Sequence, residues 1–119
     1  MQFNLASQVK AKPSVAEPVQ TKAQVVALIE RSGSQLHQLG VKRCGLFGSF
    51  VKETNADDSD VDILVDFEPE KKTFDNFMAL SFLLEGLFGR NVDLVTTQSL
   101  SPHIGPHILS EVEYVSFDL

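Results

Sequence analysis

From residue 21 to residue 39, apolar side chains recur at helical spacing. Val25, Leu28, Ile29, Leu36 and Leu39 form one stripe, with Thr21 placed to cap it and Gly40 to end it. Ser32-Gly33-Ser34 weakens the middle and predicts a bend there. Val41–Phe47 then reads as a short strand closed by Gly48-Ser49. Val61–Phe67, Val-Asp-Ile-Leu-Val-Asp-Phe, is the strongest strand signal, rich in β-branched residues. Over Phe74–Phe88 the apolar residues Phe74, Phe77, Met78, Leu84, Leu87 and Phe88 fall three and four apart, and Gly89 follows as a stop. That stripe reads as core packing and not as a hydrophobic ligand box. Residues 91–96 predict a third strand. Ser101-Pro102 suits the cap and first turn of a short helix to about residue 110, interrupted by Gly105-Pro106. Residues 113–119 alternate weakly, as an edge strand would. Residues 1–20, with Pro13 and Pro18 and little periodicity, read as a flexible N-terminal arm before a domain spanning 21–119. The order predicts an α/β (α+β) domain: a small mixed sheet with helices packed against it.

A chain of 119 residues suits one such domain, and with nine Phe and no Trp its core should be rich in phenylalanine. Ten basic against 16 acidic side chains leave a formal charge of −6. A nucleic-acid binder needs cations clustered against phosphates, so the balance argues against DNA or RNA as the main partner. A small polyphosphate stays open, because bound metal ions supply positive charge locally. The lone Cys44 has no disulfide partner within the chain, which fits a reducing cytoplasm, and inside a strand it reads as a packed thiol. No apolar run is long enough for a bilayer and no signal peptide is legible, so a cytoplasmic protein with no membrane partner is expected.

Three acids change the picture. Asp60 and Asp62 are separated by one residue at the start of a strand, so their side chains project to one side, with backbones roughly 6.5–7 Å apart. Carboxylates held that close repel unless a cation lies between them, and a pair of divalent ions answers that need. A solvated loop end is the competing reading of the pair. Asp93, flanked by Val92 and Leu94, asks for a partner if buried. Were its strand to lie beside the first, it would join as a third ligand or act as general base on a hydroxyl. Gly48-Ser49 ends a strand and opens a helical turn, where backbone N–H groups and the Ser49 hydroxyl can hold phosphate oxygens. His103 and His107, four apart, are a weaker metal candidate, with Gly105-Pro106 disturbing the helix between them.

The spacing binds these features together. Gly48-Ser49, ten intervening residues and then Asp60-Val61-Asp62 resembles the polymerase-β-like nucleotidyltransferases, and residues 47–65 resemble their minimal, antitoxin-type branch. Asn91-Val92-Asp93-Leu94-Val95 falls where that family keeps its third acid, and the likeness covers roughly residues 22–116. The resemblance implies the polymerase-β-like fold and an enzyme in which Asp60, Asp62 and Asp93 are catalytic and hold two Mg²⁺ ions. Gly48, Ser49 and Lys52 would bind the nucleotide. It further implies transfer of AMP from ATP, or of a nucleotidyl group from another NTP, to an acceptor hydroxyl. The implied acceptor is a partner protein such as a HEPN toxin, silenced by adenylylation of a tyrosine. Two alternatives stand beside it: a non-catalytic binding module with a degenerate site, and transfer to a small molecule such as an aminoglycoside. A homo-oligomer is compatible with either. One departure is plain: the family carries Arg-Gly after the Gly-Ser turn, where this chain has Lys52-Glu53.

Overall fold

A computed structural model describes residues 17–117. The elements are α1 (Lys22–Arg31), α2 (Gly33–Gln38), β1 (Val41–Phe47), α3 (Ser49–Lys52), β2 (Val61–Phe67), α4 (Phe74–Phe88), β3 (Val92–Thr96), α5 (Gly105–Glu111) and β4 (Glu113–Val115). The strands form one sheet in the order β3-β2-β1-β4. β1 runs antiparallel to both β2 and β4, while β2 and β3 are parallel, joined through α4. The mixed sheet and helices expected from the sequence are present. Among the described residues no helix is long and apolar enough to cross a membrane.

The two faces of the sheet are unequal, and that inequality places the site. Val61, Ile63 and Val65 of β2 point into the main core with Val25, Ile29, Leu80, Leu84 and Phe88 from the helices. Leu64 points the other way, into a small cluster with Phe47 and Ile108. Side chains alternate along a strand, so Asp62 shares Leu64's face, which carries only that small apolar cluster. An acid there stays within reach of water; one residue along, it would be in the core.

Local chemistry sets the helix limits. The Thr21 hydroxyl accepts from the Gln24 N–H at 3.1 Å, and the Gln24 side chain accepts from the Thr21 N–H at 3.2 Å, a reciprocal cap. The expected bend is a complete break: the helix ends at Arg31 and restarts at Gly33, with buried Ser32 donating its N–H to the Ile29 carbonyl at 3.0 Å. Gly105-Pro106 does not interrupt α5 but begins it, since proline in a first helical turn has no N–H to orphan. Residues 101–104 form a turn ahead of α5, in which the Ser101 hydroxyl accepts from the Ile104 N–H at 3.0 Å. β3 starts at Val92, one residue later than expected. β4 ends at Val115, and residues 118 and 119 of the expected edge strand lie outside the described residues. On α4, Leu80, Leu84 and Phe88 are buried, and Gly89 takes φ 66° to end the helix. Phe74 departs from the core reading: as the first residue of α4 it is 76% exposed.

Of the expected arm, residues 1–16 lie outside the described residues. In the last four, Val19 is buried in the main core. Its N–H donates to the Phe88 carbonyl at 2.9 Å and its carbonyl accepts from Arg90 Nε at 2.7 Å.

Candidate active site

Parallel pairing of β2 with β3 sets Asp62 opposite Asp93, and antiparallel pairing with β1 sets Asp62 opposite Phe47, one residue before Gly48. Gly48 has φ 77° and ψ −148°, backbone open in practice to glycine. A Cβ there would fall on the Asp62 carboxylate. The turn after β1, the second residue of β2 and the second residue of β3 thus converge. They line a cavity of about 420 Å³ with Leu100, Ile104 and Glu111.

Asp60 ends the loop just before β2 and is exposed. It lines a separate cleft with Asp57, Asp58, Glu85 and Arg90. Its charge still reaches Asp62, whose carboxyl is pushed up to about 6 from 3.8. Burial is the largest cause, followed by the charges of Asp93, Asp60 and Glu111 and a hydrogen bond with Asp93. Asp62 and Asp93 are therefore brought together directly, and Asp60 joins them through its field.

These residues fit divalent ions of the hard, oxygen-preferring kind. Carboxylates are the donors such ions take, and Asp62 sits among three other acids that raise its pKa. Among the described residues no three His, Cys, Asp or Glu side chains already converge on one point. The acids offer a partial coordination set, as a site must when substrate oxygens complete the shell. His103 and His107 form no metal group either, though His107 lines the main cavity. Burial pushes the Cys44 thiol up to about 12, so it is a packed thiol and no nucleophile.

Ser49 opens α3, and Lys52 closes it with its ammonium 3.3 Å from Glu111 Oε1. Glu53 is the one non-glycine at positive φ among the described residues, at φ 60° and ψ 37°. Left-handed backbone is costly for any side chain with a Cβ. Glu53→Gly is expected to stabilise the protein by about 0.5–1 kcal/mol in urea unfolding. A loss of stability would mean the glutamate side chain outweighs its backbone strain.

Two residues carry the site without having been singled out in the sequence. Arg90 Nη1 donates to the carbonyls of Ala56, Asp57 and Ser59 at 3.0, 3.0 and 2.8 Å, while its guanidinium lies 5.1 Å from the Phe50 ring centroid. It thereby ties the loop that delivers Asp60 to α3 and to Val19. Its one local signal is a cation directly after the helix-ending Gly89. Glu111 accepts the Gly48 N–H at 2.8 Å on Oε2. Nothing local marks it, since it is one acid at the end of a short helix.

Comparison with known proteins agrees with this geometry. Residues 26–115 match the family model described as the nucleotidyltransferase domain. Protein adenylyltransferase MntA of Thermococcus cleftensis is 47% identical over 78 residues, which cover 66% of this chain and 78% of that protein. A solved candidate minimal nucleotidyltransferase is 33% identical with a TM-score of 0.64, over 77% of this chain and 89% of its own. A toxin–antitoxin crystal structure with AMP-PNP shares the fold at 20% identity and a TM-score of 0.59, over 81% of this chain and 73% of its own.

Proposed function

Because the chain belongs to the nucleotidyltransferase domain family, we propose that it transfers AMP from ATP to a hydroxyl side chain of a partner protein, a tyrosine on a helical HEPN-type toxin, and so acts as an antitoxin. The observation that carries this reading is the register of Asp62 with Asp93 beside the Gly48 turn. The 47% identical relative, a protein adenylyltransferase, supports a protein as acceptor. In this reading the domain is residues 21–119, with Val19 just ahead of it buried in its core.

The Gly48 turn, the Ser49 hydroxyl and the Lys52 ammonium hold the β- and γ-phosphates, leaving the α-phosphate facing the acids. Two Mg²⁺ ions held by Asp60, Asp62 and Asp93 would supply the positive charge that offsets both the acids and the triphosphate. Asp93, exposed at the rim, accepts the proton of the acceptor hydroxyl. The freed oxygen bonds to the α-phosphorus while the α–β bridging bond breaks, and pyrophosphate leaves with that electron pair. Leu100 and Ile104 give the same cavity an apolar part of its lining.

The test is to incubate this protein with ATP, Mg²⁺ and its cognate toxin and weigh the toxin. A mass gain of one or more AMP groups is expected, and none with Asp62→Asn. No gain, together with full neutralisation of the toxin by the variant, would establish the second reading, a binding-only antitoxin. Lys52-Glu53 in place of the family's Arg-Gly is the observation that favours it.

A further inference from the structure

Glu111 closes α5, and its two carboxylate oxygens have different partners. Oε2 accepts the Gly48 N–H at 2.8 Å, and Oε1 lies 3.3 Å from the Lys52 ammonium. Those partners come from the two ends of one short turn, and on the proposed function both serve the nucleotide's phosphates. One O–C–O unit thus spans an amide donor and an ammonium, as one O–P–O unit of a phosphate would. An N–H already bound at 2.8 Å has no second hydrogen to offer. Resting on that reading of the site, we infer that Glu111 is an internal competitor of the nucleotide: its carboxylate occupies the Gly48 amide and pairs with Lys52, and it must leave the Gly48 amide before a triphosphate can seat.

The surroundings show how it can leave. Backbone at the end of α5 is pinned, because Val112 and the Glu113 carbonyl lie against Gly45 of β1 with no room for even a Cβ between them. Release is therefore a rotation of the Glu111 side chain, which is already 25% exposed. The Lys52 side chain is 60% exposed, so the ion pair facing solvent is weak and the half-buried amide contact is the firmer half. The contact also has an electrostatic cost, since Glu111 stands among the acids whose charges bear on Asp62. Glu111 accordingly lowers affinity for phosphate ligands that need the Gly48 amide.

Calorimetry on the full chain with Mg²⁺ tests this, using ATP and inorganic tripolyphosphate as probes, on wild type, Glu111→Gln and Glu111→Ala. Glutamine can still accept the Gly48 N–H through its amide oxygen but loses the charge on Lys52, whereas alanine loses both contacts. Glu111→Ala is expected to bind both probes roughly tenfold more tightly than wild type, with Glu111→Gln in between. Thermal melts identify a variant that fails to fold; should alanine do so, the near-isosteric glutamine carries the comparison. Unchanged or weaker binding by a folded variant would overturn the inference and make Glu111 a brace for the turn. Absence of binding by wild type and variants alike would instead remove the nucleotide reading itself, and this inference with it.

Discussion

Asp62→Asn is expected to lower nucleotidyl transfer by roughly a thousandfold or more while leaving the fold intact. Asparagine keeps the shape at the centre of the cavity but removes the charge that holds cations against the triphosphate. The same substitution should make the unliganded protein more stable at neutral pH. In the folded chain the Asp62 carboxyl titrates near 6, above its ordinary value of 3.8, so the folded state retains the proton longer than the unfolded one. Stability therefore falls as pH rises from about 4 to about 6, and the penalty is complete at pH 7. Discounted for a half-exposed group, it amounts to about 1 kcal/mol. Urea unfolding should show Asp62→Asn ahead by that amount at pH 7 and level with wild type at pH 4. Wild-type turnover in the variant would remove Asp62 from the chemistry, and an equal gap at both pH values would remove the repulsion.

Gly48→Ala is expected to damage both the fold and the site. At φ 77° and ψ −148° an alanine is strained wherever its Cβ points, and here it points into the Asp62 carboxylate. Strain and displacement together are expected to cost about 3 kcal/mol of stability. Activity should also be lost, because the turn carrying Ser49 and the acid on β2 cannot both keep their places. Pairing the change with Asp62→Ala separates the two causes. The double variant should recover the collision part and keep the strain part, so Gly48→Ala should cost less stability in the Asp62→Ala background than in wild type. Strict additivity would mean that the turn and the acid do not touch.

Much of this site was legible because its signals are local. Alternation along Val61–Phe67 already put Asp62 on the opposite face from Val61, Ile63 and Val65, and the sheet keeps it there. The Phe74–Phe88 helix was legible for the same reason, with Thr73 and Gly89 ending it. Phe74 misled because periodicity says which face a residue shares, not whether a neighbour covers that end of the helix. Gly105-Pro106 misled because proline starts a helix as readily as it breaks one, and its place in the turn depends on where Ser101–Ile104 folds back.

What the sequence by itself determined is therefore what one element determines alone: helix and strand positions, the acid face of β2, and a glycine at the turn that closes β1. Tertiary structure decided which elements meet. Only the parallel crossover through α4 brings Asp93 into register with Asp62. Only packing of α5 beneath the sheet carries the Glu111 carboxylate to a Gly48 N–H 63 residues away. Only the return of the chain past Gly89 lets Arg90 tie the carbonyls of a loop more than 30 residues earlier. The physical reason is the same in each case. Periodicity and capping are settled by interactions within a few residues, whereas strand register and the meeting of distant side chains follow from burying the whole core at once.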